Sequence, residues 1–140
     1  MGTNRRITVE LPSGWSDESI YFFRGPEQAG MAHSLSVLVD ENPGTTDVDS
    51  YARDRVLMLQ ASQSGLEVLK EGAITMDDGR EAYEMVYKVA GSGPRPEFGR
   101  QVFMLQGGTA YAFQGKYTKP TARTLGAAID QMIRSFHIEE

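Results

Sequence analysis

Apolar and polar residues alternate at the start of the chain: Ile7, Val9 and Leu11 are apolar, Thr8 and Glu10 polar. A period of two marks a half-buried strand, and Pro12-Ser13-Gly14 stops it. Trp15 follows in a turn, and Ser19 to Phe23 is predicted as a second short strand. A polar loop over 25–32 leads to a third strand from His33 to Asp40. Leu35, Val37 and Val39 share one face of it, and Ser34, Ser36 and Leu38 share the other.

After the break at Asn42-Pro43-Gly44 the period changes. Val48, Tyr51, Ala52, Val56 and Leu59 recur at helical spacing. The pattern predicts a helix from Asp47 to Ser64, with Thr46 as N-cap, Asp47 and Asp49 in the first turn and Gly65 closing it. Two hairpins are predicted next. Strands over 66–76 and 80–90 flank Asp77-Asp78-Gly79, and strands over 98–106 and 109–117 flank Gly107-Gly108. The stretch from Gly91 to Pro96 reads as a mobile loop. A last helix follows, with Thr118 as cap, Pro120 in its first turn and an apolar stripe of Leu125, Ala128, Ile129, Met132, Ile133 and Phe136. Runs of strands set apart from helices predict one α+β domain over residues 1–140: an antiparallel sheet of six to seven strands with two helices packed on one face.

Composition narrows the functions. The net charge is -5, from 14 basic and 19 acidic residues, and no basic run is present. A phosphate-binding surface calls for the opposite sign, so nucleic acid is not an expected partner. There is no cysteine, which excludes disulfides, thiol nucleophiles and thiolate metal sites. No apolar run approaches the ~20 residues of a membrane-spanning helix, so direct membrane insertion is not expected. No apolar signal-peptide core follows the polar start at 1–6, which predicts a cytoplasmic protein; removal of a leader sequence would instead make it periplasmic.

Catalytic chemistry finds little support. His33 and His137 have no histidine or cysteine at ligand spacing and read as surface or edge residues. Ser62-Gln63-Ser64-Gly65 is a helix end and not a nucleophile elbow. Asp77-Asp78 sits in a turn that aspartate stabilises through its own backbone. Gly107-Gly108 lacks the spacing of a dinucleotide or phosphate loop. Met76, Met85, Met104 and Met132 fit core positions. No catalytic residue, metal site or cofactor is expected.

The third strand draws the eye because its second face, Ser34, Ser36 and Leu38, is small. With both helices on the other side of the sheet, that face meets water or a partner. The second strand adds either Ile20 and Phe22 or Tyr21 and Phe23 to it. An uncovered apolar patch of this kind often marks a binding site.

Leu11-Pro12-x-Gly14-Trp15-x-Asp17-x-Ser19-Ile20 resembles the opening of the DcrB-related family, as do Arg100-Gln101-Val102-Phe103 and the closing Ser135-Phe136. The resemblance extends over nearly the whole chain and implies the PsbP-like fold. Within the family the chain looks most like the Eag chaperones of type VI secretion, which are dimers that bind the N-terminal transmembrane segments of secreted effectors in an apolar groove on the open sheet face. That resemblance implies a homodimer whose partner is a secreted effector with transmembrane segments. It implies groove positions at Ile20, Phe22, Ser34, Ser36, Leu38 and Gln101. The chain departs from those chaperones in the order Ser36-x-Leu38 and in carrying Arg55 on the first helix, where a neutral polar residue is expected. Other members of the wider family are envelope proteins, so an accessory role in the envelope is the alternative function. A small-ligand site on the same sheet face, with the 91–96 loop as lid, is a third.

Overall fold

The computed structural model describes residues 10–15, 20–28, 31–41, 43–89 and 96–136. The strand expected over 7–11 falls outside these residues apart from Glu10 and Leu11, which are exposed and extend no strand. The 91–96 loop, except Pro96, and His137 also lie outside them.

One antiparallel sheet organises the chain. Strands β1 (Ile20–Gln28) and β2 (Met31–Asp40) form a hairpin, and helix α1 (Val48–Ser62) crosses from β2 to the far edge. There β3 (Leu66–Thr75), β4 (Glu81–Val89), β5 (Glu97–Gln106) and β6 (Thr109–Tyr117) run back as a meander until β6 pairs with β2. The order is β1-β2-β6-β5-β4-β3, antiparallel throughout. A π-helical turn (Ala122–Gly126) then leads into α2 (Ala127–Arg134). The α+β class and the two helices are as the sequence predicts.

Turn chemistry explains the hairpins. Gly107 and Gly108 both take positive φ, 61° and 80°, the backbone of the two-residue turn whose twist matches paired strands. Gly79 also has positive φ, and its N–H donates to the Met76 carbonyl at 3.0 Å. The loop expected over 25–32 is instead strand up to Gln28 and again from Met31, with which Gln28 pairs. Gly25 and Pro26 sit in a bulge between Arg24 and Glu27, after which Glu27 pairs with Ala32. Proline cannot donate to a ladder, and an edge-strand bulge is where it is tolerated.

The helix ends differ from expectation by small steps. Asp47, not Thr46, caps α1: its carboxylate accepts from the Asp49 N–H at 3.3 Å and from the Ser50 hydroxyl at 2.7 Å. These bonds, led by that of Ser50, hold the Asp47 pKa below its ordinary value. Thr118 and Pro120 precede the last helix and do not begin it. Thr121 opens the helical segment, and its carbonyl accepts from Gly126 across five residues. Of the expected stripe, Ile129 and Ile133 are buried, while Met132 and Ala128 are exposed, because the eight-residue α2 presents only a narrow edge to the sheet.

The two helices do not share a face. Tyr51, Ala52 and Val56 of α1 pack with Tyr83, Met85, Tyr87 and Phe103. Ile129 and Ile133 of α2 pack with Leu35, Val37, Ala82, Val102, Met104 and Phe113. The two sets alternate along the same strands, so they lie on opposite sides of the sheet. The physical cause is two-sided burial: Val102-Phe103-Met104 is a continuous apolar run with every residue buried, which needs cover on both faces.

Candidate functional site

Six strands at about 4.8 Å spacing make a sheet roughly 24 Å across. Helices pack 8–10 Å apart, so each face holds about two. On the first face α1 lies over β4 and β5. The other half of that face, over β1, β2 and part of β6, is left beside it without a helix among the described residues.

The strand register decides what lines this open half. Ile20 pairs with Leu38, and Leu38 with Ala112. In the next row Phe22 pairs with Ser36, Ser36 with Gln114 and Gln114 with Gln101. The row beyond runs from Arg24 through Ser34 to Lys116 and Gly99. All six residues named from the sequence, Ile20, Phe22, Ser34, Ser36, Leu38 and Gln101, therefore lie on one face in three adjacent rows. Ile20 and Phe22 are 63% and 53% exposed, while Ser34, Ser36, Leu38 and Gln101 are half-buried. We call the strip beside α1 the trough: it is apolar at its β1 edge and lined by small and polar side chains along β2, β6 and β5. Along β2, from Ser34 to Asp40, it extends about 20 Å at ~3.4 Å per residue, the length of about 13 residues of helix.

Its far end is closed by an ionic cluster. The Arg55 guanidinium meets the Asp40 carboxylate at 2.7 Å, and the Tyr51 hydroxyl donates to the same oxygen at 2.9 Å. Arg55 also stacks 5.0 Å from the Tyr51 ring centroid. Burial, followed by the bond to Asp40, pushes the Tyr51 hydroxyl up to about 12. The cation that departs from the chaperone pattern is thus turned to β2, where it ties α1 to the end of the trough.

Beside the floor, on β4, lies Tyr87. It is buried, and its ring lies over Gly99: a Cβ there would come within 2.2 Å of the ring. Gln114 Nε2 donates to the Tyr87 hydroxyl at 2.9 Å. Burial raises the Tyr87 pKa, opposed by the hydrogen bond from Gln114. Sequence reading found Gln101 but missed Gln114 and Tyr87. A turn centred on Gly107-Gly108 already sets Gln101 opposite Gln114, so that pairing was within reach.

The opposite face is structural. His33 is 2% exposed, not the surface or edge residue its isolation suggested: it lies on the α2 side of β2, where the Thr118–Thr121 turn covers it and Thr121 Oγ1 is 2.8 Å from its Nε2. Glu84 is buried and takes Arg100 at 2.9 Å and Lys70 at 3.5 Å. Arg100 also bonds Asp130 of α2, which holds Arg134 at 3.1 Å. No group of three or more His, Asp or Glu able to hold a metal occurs among the described residues, and no helix among them is long and apolar enough to cross a membrane.

A family model described as DcrB matches residues 7–135. The chain belongs to the DcrB family. No curated protein matches it. Among solved structures, this DcrB family member resembles PA94 of Pseudomonas aeruginosa, a protein of unknown function, with TM-score 0.77, 20% identity and coverage of 94% of this chain and 91% of that one. It resembles the cyanobacterial PsbP of Synechocystis sp. PCC 6803 with TM-score 0.54, 16% identity and coverage of 94% and 99%. LpqN of Mycobacterium tuberculosis, involved in cell envelope biogenesis, matches with TM-score 0.51, 13% identity and coverage of 84% and 82%. These likenesses show the PsbP-like fold.

Proposed function

We propose that this DcrB family protein is a non-enzymatic chaperone or adaptor that shields an apolar transmembrane segment of a secreted effector, of the type VI secretion kind, in the open half of its α1 face. The observation that carries the reading is the one-helix-wide trough beside α1, walled by Ile20, Phe22 and Leu38 and floored by Ser34, Ser36 and Gln101. A transmembrane helix in water exposes apolar surface whose burial is worth about 25 cal/mol per Å². Small floor residues let a helix approach closely, as they do between helices in membranes, and the hydroxyls and carboxamide meet its small polar side chains. The work is done in the cytoplasm before export, by a homodimer.

The test is affinity capture from the native host with wild type and Ser36→Arg side by side. Wild type is expected to recover a large protein with N-terminal transmembrane segments, and Ser36→Arg to lose it while remaining folded. Equal recovery by the folded variant overturns the trough. The second reading is an envelope accessory protein, favoured by the fold shared with LpqN; recovery of envelope components alone supports it.

A further inference from the structure

The trough floor carries two carboxamides face to face, Gln101 on β5 and Gln114 on β6. A glutamine side chain turns about three bonds, and a freely turning one gives a weak and unselective hydrogen bond because its ordering opposes binding. Here Gln114 reaches one fixed point, the Tyr87 hydroxyl, 2.9 Å from its Nε2, with Gln101 opposite it in the same row. That hydroxyl cannot move: Tyr87 is 2% exposed, and its ring rests on Gly99, the residue whose lack of a Cβ makes room for it. With one N–H of Gln114 committed to the phenol, its oxygen is left for an incoming donor. Ser36, next in the same row, brings a hydroxyl from the other side.

Resting on the binding reading above, we infer that Tyr87 is a positioning residue whose hydroxyl fixes the Gln114 carboxamide opposite Gln101, so that the trough selects apolar helical segments carrying a hydroxyl side chain near their centre. A wholly apolar segment would strip water from the carboxamides and return no hydrogen bond. A serine or threonine restores the bond, and since a hydroxyl both donates and accepts, it can serve both glutamines. Tyr87 need not touch the segment to do this; it acts through Gln114.

The experiment measures binding of the full-length protein to two dye-labelled peptides of about 18 residues, long enough for a single apolar helix. They are built of leucine and alanine with lysine ends and differ only in a central serine or alanine. One added hydrogen bond is worth about fivefold in affinity, so wild type is expected to prefer the serine peptide by about that factor. Tyr87→Phe keeps the ring over Gly99 and removes only the hydroxyl. It should still bind the alanine peptide as wild type does, and its preference should fall to about one. A merely structural role for Tyr87 would lower both affinities together and leave the ratio. If Tyr87→Phe does not fold, Gln114→Met removes the same carboxamide and should abolish the preference equally. Binding of both peptides without preference by wild type, or a preference retained in the folded variants, overturns the Tyr87 inference and leaves the trough standing. Failure of wild type to bind either peptide overturns the trough itself.

Discussion

At the scale of single residues, the site depends on side chains whose partners lie far off in sequence. Arg55 reads as an intrusive charge on a groove-facing helix until Asp40 is found 2.7 Å away. Tyr51 shares that carboxylate, which makes it sensitive to strong alkali. Its folded pKa is raised to about 12, first by burial and then by the bond to Asp40, against an ordinary 10.0. A group with a raised folded pKa contributes stability that is full below the unfolded value and lost as pH rises through the folded one. The protein should therefore lose stability between pH 10 and 12, where the unfolded chain sheds the Tyr51 proton and the folded one keeps it. Denaturant midpoints across that window, compared with those of Tyr51→Phe, check this: the variant should show a shallower decline. An equal slope in both would remove Tyr51 from the account.

At the scale of elements, turns were legible and faces were not. Asp78-Gly79 and Gly107-Gly108 carry their backbone requirements in their residue types, so both hairpins followed from the sequence. Gly25-Pro26 read as loop because proline usually ends a strand, whereas an edge strand absorbs it in a bulge. The side taken by each helix was not legible from helix periodicity, since a buried stripe does not say which face of the sheet it meets. The signal lay in the strands: Val102-Phe103-Met104 is apolar on both parities. What fastens α2 to its side is partly ionic, through Glu84, Arg100 and Asp130. The Glu84 side chain is only 2% exposed, so removing its main partner strands a buried charge. Arg100→Ala should destabilise the fold by about 3 kcal/mol, the lower end for a broken buried pair because Lys70 remains near Glu84. Urea unfolding measures it, and a loss within ~0.5 kcal/mol, ordinary for surface substitutions, would show that apolar packing alone holds α2.

At the scale of the whole molecule, the sheet is covered unequally. The second face is closed over β2, β6 and β5 by α2, while half of the first is open beside α1. The edge strand β1 carries this asymmetry furthest, with Ile20, Tyr21, Phe22 and Phe23 all at least 50% exposed. The sequence left one of its two pairs uncovered unless a helix or partner hides it, and the structure leaves both exposed. The placement of Ile20, Phe22, Ser34, Ser36, Leu38 and Gln101 together was legible from alternation and resemblance. Tyr87 and Gln114 were not singled out, because their role arises only when β4, β5 and β6 lie side by side.

The central claim, that the open half of the α1 face receives an apolar helix, is tested most directly by amide chemical-shift mapping of the isotopically labelled 140-residue protein titrated with the serine-centred peptide. Shifts are expected at Ile20, Phe22, Ser34, Ser36, Leu38, Gln101 and Gln114, fading across α1 and absent from Ile129 and Ile133 of α2. Shifts centred on α2, or none at saturating peptide, would contradict it.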